Sequence, residues 1–347
     1  MKNVLLLIQT QVKKLTLPFA LMGMASVILF SSCSEDVPER SSLAIPKTPL
    51  QQVKLAPDPT EWINIEGVSS SNARRATTAP GPDRGRFNIS LDFVVPVTDR
   101  QEEVFEQAAA RWERIIIKDV PSFTGTLPSA FGGLVVEDST IDDIIIEVAL
   151  APIDGPGSIL GQAGPRFVRT ADNLTLSGVM FFDVADLDFL ESLDLFEEVI
   201  IHEMGHVLGI GTLWNFQREL RQTATGGPYF TGKKANIHWN AEGGEDFLPI
   251  EGDFGPGTQF SHWDEATLNN ELMTGFLNLG ENPLSRITAG SLRDLGYGAA
   301  MVGDQYDLPK GTEGIDPAAD GVSSPAAGIN MASSEVLLSP IGSVTVK

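Results

Sequence analysis

The chain has 347 residues, 42% of them hydrophobic, and a formal net charge of −22 with a pI near 4.5. That acid excess repels a nucleic-acid backbone and offers no counterion release, so nucleic acid is set aside as a partner. It suits an exported protein kept soluble by charge, and leaves calcium possible without any loop that argues for it. One cysteine in the whole chain means that no internal disulfide holds the fold, which must rest on its core and on any bound metal.

Lys2, Lys13 and Lys14 precede an apolar run from Leu15 to Phe30 that ends in FSSC at Cys33. The run is short for a membrane span; charged start, apolar middle and small residues at the end describe an export signal. Residues 1–33 resemble a bacterial lipoprotein signal peptide, in which Cys33 is acylated and becomes the mature N-terminus, and the SED that follows resembles the acidic tag of surface lipoproteins. The expectation is an exported protein, lipid-anchored to the bacterial outer membrane and facing outside. Residues 34–83, rich in Pro, Ser and charge (PKTP, APDP, APGPD), read as a disordered tether or a pro-segment.

Ordered structure is expected from residue 84. In RFNISLDFVV, Phe87, Ile89, Leu91 and Phe93 alternate with polar residues as in a half-buried strand. Thr98 then stands three residues before Gln101 as a capping box, and the helix it opens puts Val104, Phe105, Ala108, Trp112, Ile115 and Ile116 on one face. IDDIIIEVAL (Ile141 to Leu150) and LTLSGVMFFD (Leu174 to Asp183) read as further strands. Between them, DGPGSILGQAGP lacks the Lys and Ser/Thr of a phosphate-binding loop and reads as a turn with a close backbone approach. Asp194 with Glu197 marks a helix start, and that helix runs through LFEEVIIHEMGHVLG to stop at Gly209. Regular signals then fade until Ser285 caps a helix stopped by Gly296. Residues 301–347 form a tail of unassigned role, in which SEVLLSPIGSVTV has strand character and no assigned place.

Two histidines four apart on a helix share a face, so His202 and His206 can direct their imidazoles at one ion, zinc by preference. Glu203, one step round, reaches a water on that ion more easily than the ion itself. Ile200, Ile201, Val207 and Leu208 would bury the helix, which argues against a surface pair of histidines. A catalytic zinc needs a third protein ligand and an open position. His238 in ANIHWN and His262 in FSHWDEATLNNELMTG both precede tryptophan, and local chemistry does not separate them. Glu219 is the nearest carboxylate candidate, but Gly209, three after the second histidine, turns the chain back under the metal and suits a ligand from the loop beyond.

HEMGHVLGIGTLW, a long insertion, then SHWDEATLNNELMTG and NPLSRITAGSLRDLGYG resemble the leishmanolysin family of metzincin zinc peptidases. The resemblance implies an α+β fold: a twisted mixed sheet with the active-site helix above the cleft, and a loop-rich, helix-containing lower subdomain. The catalytic domain would then span 84–300, with an upper part 84–209 and a lower part 210–300. It implies His202, His206 and His262 as zinc ligands, Glu203 as base, and Met273 as the methionine turn beneath the metal. The insertion between Gly209 and His262 leaves Thr212 where a simpler metzincin has histidine. Thr274, Gly275 and Phe276 become candidates for one wall of the substrate pocket. This chain has no cysteine for the latency of protozoan leishmanolysins and no tyrosine two residues after Met273, where Gly275 stands. Trp214 and Trp263 read as core in preference to cleft wall.

The implied function is a zinc-dependent endopeptidase, hydrolysing peptide bonds with a zinc-bound water activated by Glu203. Its partners would be protein or peptide substrates, and the membrane through the lipid on Cys33; oligomeric state is not written in the sequence. Two other readings stay open. One is a non-catalytic surface adhesin or binding lipoprotein on the same scaffold, against which Glu203 counts, since a structural zinc has no need of that carboxylate. The other is a zinc amidase acting on cell-wall peptide.

Overall fold

In the computed structural model, residues 53–68, 85–216, 218–306 and 328–347 are described. The export signal with Cys33 lies outside them, and among the described residues no helix is long and apolar enough to cross a membrane. The first half of the chain runs β1 (Ile63–Gly67), β2 (Ile89–Phe93), α1 (Asp99–Ile115), β3 (Phe123–Pro128), β4 (Leu134–Ile141), β5 (Ile144–Ala151), β6 (Gly161–Arg169), β7 (Thr175–Asp183), α2 (Leu187–Ser192) and α3 (Phe196–Leu208). The second half runs β8 (Arg221–Ala224), β9 (Gly227–Phe230), α4 (Lys233–Ala241), β10 (Leu248–Pro249), α5 (Glu265–Leu268), β11 (Phe276–Asn278), α6 (Arg286–Leu295), β12 (Gly328–Asn330), α7 (Met331–Ser334), β13 (Glu335–Leu337) and β14 (Gly342–Val346).

The apolar runs form the middle of one mixed sheet, in the order β1-β14-β6-β7-β5-β2, with β13 pairing β6 beside β14. β7 pairs β5 in parallel and β6 antiparallel, so β6 runs against the grain of its inner neighbour. Alternation along β5 divides the two faces: Ile144, Ile146, Val148 and Leu150 join the core under the helices, while Ile145, Ala149 and Ala151 belong to the opposite face. The α+β architecture is as the resemblance implied. α1 and α3 lie on the helical face, held by edge-on contacts of Phe105 with Phe182 and Phe196 at 5.9 and 6.4 Å. Trp112 of α1 donates its indole N–H to the Ile201 carbonyl of α3 at 3.0 Å. This fixes the height and rotation of the helix that carries the paired histidines.

Local chemistry accounts for the starts of α1 and α6. Thr98 and Gln101 form the reciprocal capping box, and Ser285 accepts from the N–H groups of Ile287 and Thr288. The expected cap of α3 is a correction: the helix starts at Phe196 after Leu195 with no side-chain cap, and Asp194 sits in the left-handed region at φ 59°. The tight turn out of α2, with Asp194 N–H donating to the Glu191 carbonyl, takes that residue away from the helix axis.

Further corrections concern the sheet. The stretch read as a tether contains β1, and the tail contains β13 and β14, so the sheet draws strands from outside the expected 84–300. The glycine-rich turn is shorter than expected and leads into β6, a strand missed because Gly161, Gly164 and Pro165 lie in it. The turn does wrap an anion, but one of the protein's own. Ile153, Asp154 and Gly155 donate their N–H groups to one oxygen of Asp183 at 3.0, 2.9 and 2.8 Å. Burial would raise the Asp183 pKa, yet these donors and the Ala185 N–H hold it below the usual carboxylate range.

In the lower part, β8, β9 and β10 form a small antiparallel sheet and α4 packs on α6. Trp214 stacks on Trp263 at 4.6 Å, both fully buried, so both belong to the core. The Trp263 indole N–H donates to Thr288 of α6 at 2.8 Å.

Candidate metal centre

α3 is hydrophobic on nearly every side, and His202, Glu203 and His206 are fully buried on it. It ends at Gly209, whose φ of 108° suits a residue without Cβ. Gly211, at φ 73°, lies so close to the Ser261 carbonyl that a Cβ there would meet its oxygen at 2.0 Å. The turn out of α3 is thus packed directly on the loop that carries His262. Thr212, in the place of a simpler family's third histidine, donates its hydroxyl to the His206 carbonyl at 2.6 Å and closes the helix end.

Each histidine is oriented by its Nδ1. His202 Nδ1 faces the Leu272 carbonyl at 2.7 Å, His206 Nδ1 the Ile210 carbonyl at 2.9 Å, and His262 Nδ1 the Thr258 carbonyl at 3.1 Å. A carbonyl only accepts, so each Nδ1 carries the proton and each Nε2 presents a lone pair. The three Nε2 atoms converge, 3.0 Å apart for His202 and His206, 3.1 Å for His202 and His262, and 2.9 Å for His206 and His262. Lone pairs held face to face in a buried site repel unless a cation lies between them, and three imidazoles are the donor set of a catalytic zinc. The residues therefore fit that metal. Burial, then the neighbouring His262 and His202, keep the His206 pKa well below its ordinary value, as a neutral ligand requires.

Two carboxylates attend the histidines. Glu203 has both oxygens buried with no hydrogen-bond partner among the described residues, and burial followed by the charge of Glu335 pushes its pKa well above the ordinary value. Glu335, at the start of β13, was not foreseen. Its Oε1 lies 3.1 Å from His262 Nε2, and its Oε2 lies 3.5 Å from His202 Nε2 and 3.8 Å from His206 Nε2. With the three histidines it completes a four-residue group able to hold a metal ion. The one clue in the sequence is a lone charge in an otherwise apolar strand pattern, SEVLL.

Below the histidines, Met273 is fully buried against α3: a Cβ on Gly205 would come within 2.8 Å of its sulfur. Glu271 fixes that turn. Its carboxylate accepts from the Met273 N–H at 2.7 Å, the Ser285 hydroxyl at 2.6 Å and the Thr288 hydroxyl at 2.5 Å, tying the methionine turn to the start of α6. His238 lies half-buried on α4, and Glu219 is exposed after α3; neither belongs to the four-residue group. The pocket candidates are buried. Thr274 turns its hydroxyl to the carbonyls of Asn269, Glu271 and Phe276, Gly275 packs on Thr258, and Phe276 pairs with Asn330. A second acidic group, Asp119, Asp142 and Asp143, lies apart from this centre; Asp143 within it accepts the N–H groups of Asn88 and Val120.

A sequence model of the leishmanolysin family matches residues 122–304, just over half of the chain. The chain belongs to the leishmanolysin family. Leishmanolysins are zinc-dependent metallopeptidases with protein or peptide substrates, and this leishmanolysin has the twisted mixed sheet and few helices of the metzincin-like fold. The match takes in α3, the His262 loop and the methionine turn, and stops before β12, β13 and β14. Glu335 therefore lies outside the family stretch of this leishmanolysin. No curated protein matches the chain.

Proposed function

We propose that this leishmanolysin is an endopeptidase in which His202, His206 and His262 hold the zinc and Glu203 moves the proton. The observation that carries the reading is the convergence of three Nδ1-anchored imidazoles beside a buried carboxylate that has no hydrogen-bond partner among the described residues. When bound, zinc supplies a Lewis acid that polarises the scissile carbonyl and makes water acidic enough to attack near neutral pH. Three neutral imidazoles hold such an ion without cancelling its charge. Glu203 takes a proton from the attacking water on a carboxylate oxygen and returns it to the leaving amide nitrogen. Met273 packs beneath as a floor.

Glu203→Gln keeps the size of the side chain and removes its basicity. It should leave zinc bound while cleavage of an unfolded protein such as casein falls by about two to four orders of magnitude. Undiminished turnover would sink the role of Glu203 in the reaction. The reading extends to an exported enzyme held on the outer membrane by acylation of Cys33, supported by the charged, apolar and small-residue order of residues 1–33. Cys33→Ser should move the protein from the membrane fraction to the soluble one; unchanged membrane retention argues against the anchor.

A further inference from the structure

The family match ends before the C-terminal stretch, and in the fold that stretch spans the metal centre. Leu277, close after the methionine turn, pairs with Ile329 in the β11–β12 ladder. A few residues on, Val336 pairs with Gln162 of β6 in the main sheet. At the first pair of that second ladder, opposite Gly161, Glu335 lays its carboxylate against the three Nε2 atoms. The Leu160 N–H donates to the Ser334 carbonyl at 2.6 Å and the Leu338 N–H donates to the Ala163 carbonyl at 2.8 Å. At Gly164 a Cβ would lie 2.2 Å from the Leu338 oxygen, so the segment sits directly on the strand.

This arrangement conflicts with an open enzyme. His202, Glu203, His206 and His262 all have 0% exposure. Extended peptides dock by adding a strand to a sheet edge, and the edge beside the histidines is already taken by β13, with β14 on the rest of β6. The group that β13 brings to the histidines is a carboxylate, a good ligand for zinc, while the neighbouring Ser334 carbonyl is engaged by Leu160. We propose that residues 328–338 are a built-in latch: Glu335 is the fourth ligand of the metal and β13 stands in for a substrate strand on β6, so that the chain folds in a self-inhibited state. The proposal rests on reading these histidines as the centre of a zinc peptidase. The ladders that hold the segment have three residue pairs each, against seven between β5 and β7, and the fully buried Val344 anchors β14 behind them. Opening exchanges one ligand and two short ladders and leaves the sheet in place.

The test uses the full chain loaded with cobalt(II) in place of zinc, whose visible absorption reports its ligands, and acetohydroxamate as a probe of a free coordination position. In Glu335→Ala the cobalt spectrum should differ from wild type, and the probe should bind about tenfold more tightly or better, because an internal competitor has been removed. Glu335→Gln keeps the volume of the side chain and the β13 ladder; it should move both readouts in the same direction and covers a failure of the alanine variant to fold. Identical spectra and equal probe affinity in wild type and folded Glu335→Gln overturn the latch. Casein cleavage separates the two ideas. If the probe favours the variants while they leave casein intact, the latch stands and the peptidase reading falls. If all three proteins cut casein at one rate and bind the probe equally, the latch falls and the peptidase reading stands.

Discussion

His262 is set by atoms that no spacing rule reaches: its Nδ1 is directed by the Thr258 carbonyl, with the Ser261 hydroxyl also 3.2 Å away, and its own carbonyl accepts from the Glu251 N–H at 2.9 Å. His202 and His206 owe their geometry to one helix, whereas His262 owes its geometry to a loop pinned on both sides. His238 shares the sequence context of His262, a following tryptophan, but sits on α4, where burial followed by Arg286 lowers its pKa. Removing an inner ligand should cost more than the 10–100-fold that outer partners typically contribute, so His262→Ala should weaken zinc binding by more than about a hundredfold. His238→Ala should leave the affinity unchanged. Competition with a chelator measures both, and a loss confined to His238→Ala would move the third ligand to α4.

At the scale of elements, what could be read from sequence follows from how local each determinant is. Thr98 with Gln101, Gly209, Ser285 and Gly296 act within a turn of their own helices, so α1, the end of α3 and both ends of α6 were legible. β5 and β7 were legible because strands buried on both faces are continuously apolar. β6 was not, since its glycines and proline are tolerated by close approach of β7 and the C-terminal chain, which only the tertiary fold supplies. The β3–β4 hairpin and β1 were missed for a related reason: β4 is largely exposed, and β1 pairs with a strand from the far end of the sequence. The same division runs through the centre itself. His202, Glu203 and His206 share one helical turn and announce themselves; His262 and Met273 needed the family resemblance. Glu335 had neither, because its place depends on pairing with β6. Glu271 was missed as well, although an acid beside the turn methionine is in plain sight, because its role is to receive donors from α6.

Across the whole molecule the formal charge of −22 counts every acid as ionised, whereas burial holds some of them toward the protonated form. Burial pushes Asp143 up to about 7 and Glu265 up to about 9. The consequence for stability has a definite sign. In the unfolded chain these groups titrate near their ordinary values of 3.8 and 4.5, so between there and their folded pKa values the folded state binds more protons. Stability therefore declines as pH rises through that window. For Asp143 the decline runs from about pH 4 to about 7, and for Glu265 it continues to about 9. Glu265 is fully buried at the start of α5, and Glu265→Gln removes its proton equilibrium at nearly constant volume. Zinc binding has its own pH dependence through the histidines, but with wild type and variant under the same metal load it enters both alike. The urea midpoint of Glu265→Gln relative to wild type should rise steadily from pH 5 to pH 9 and level off above it. A difference that stays flat over that range, or one that shrinks, would mean that Glu265 is ionised in the folded protein.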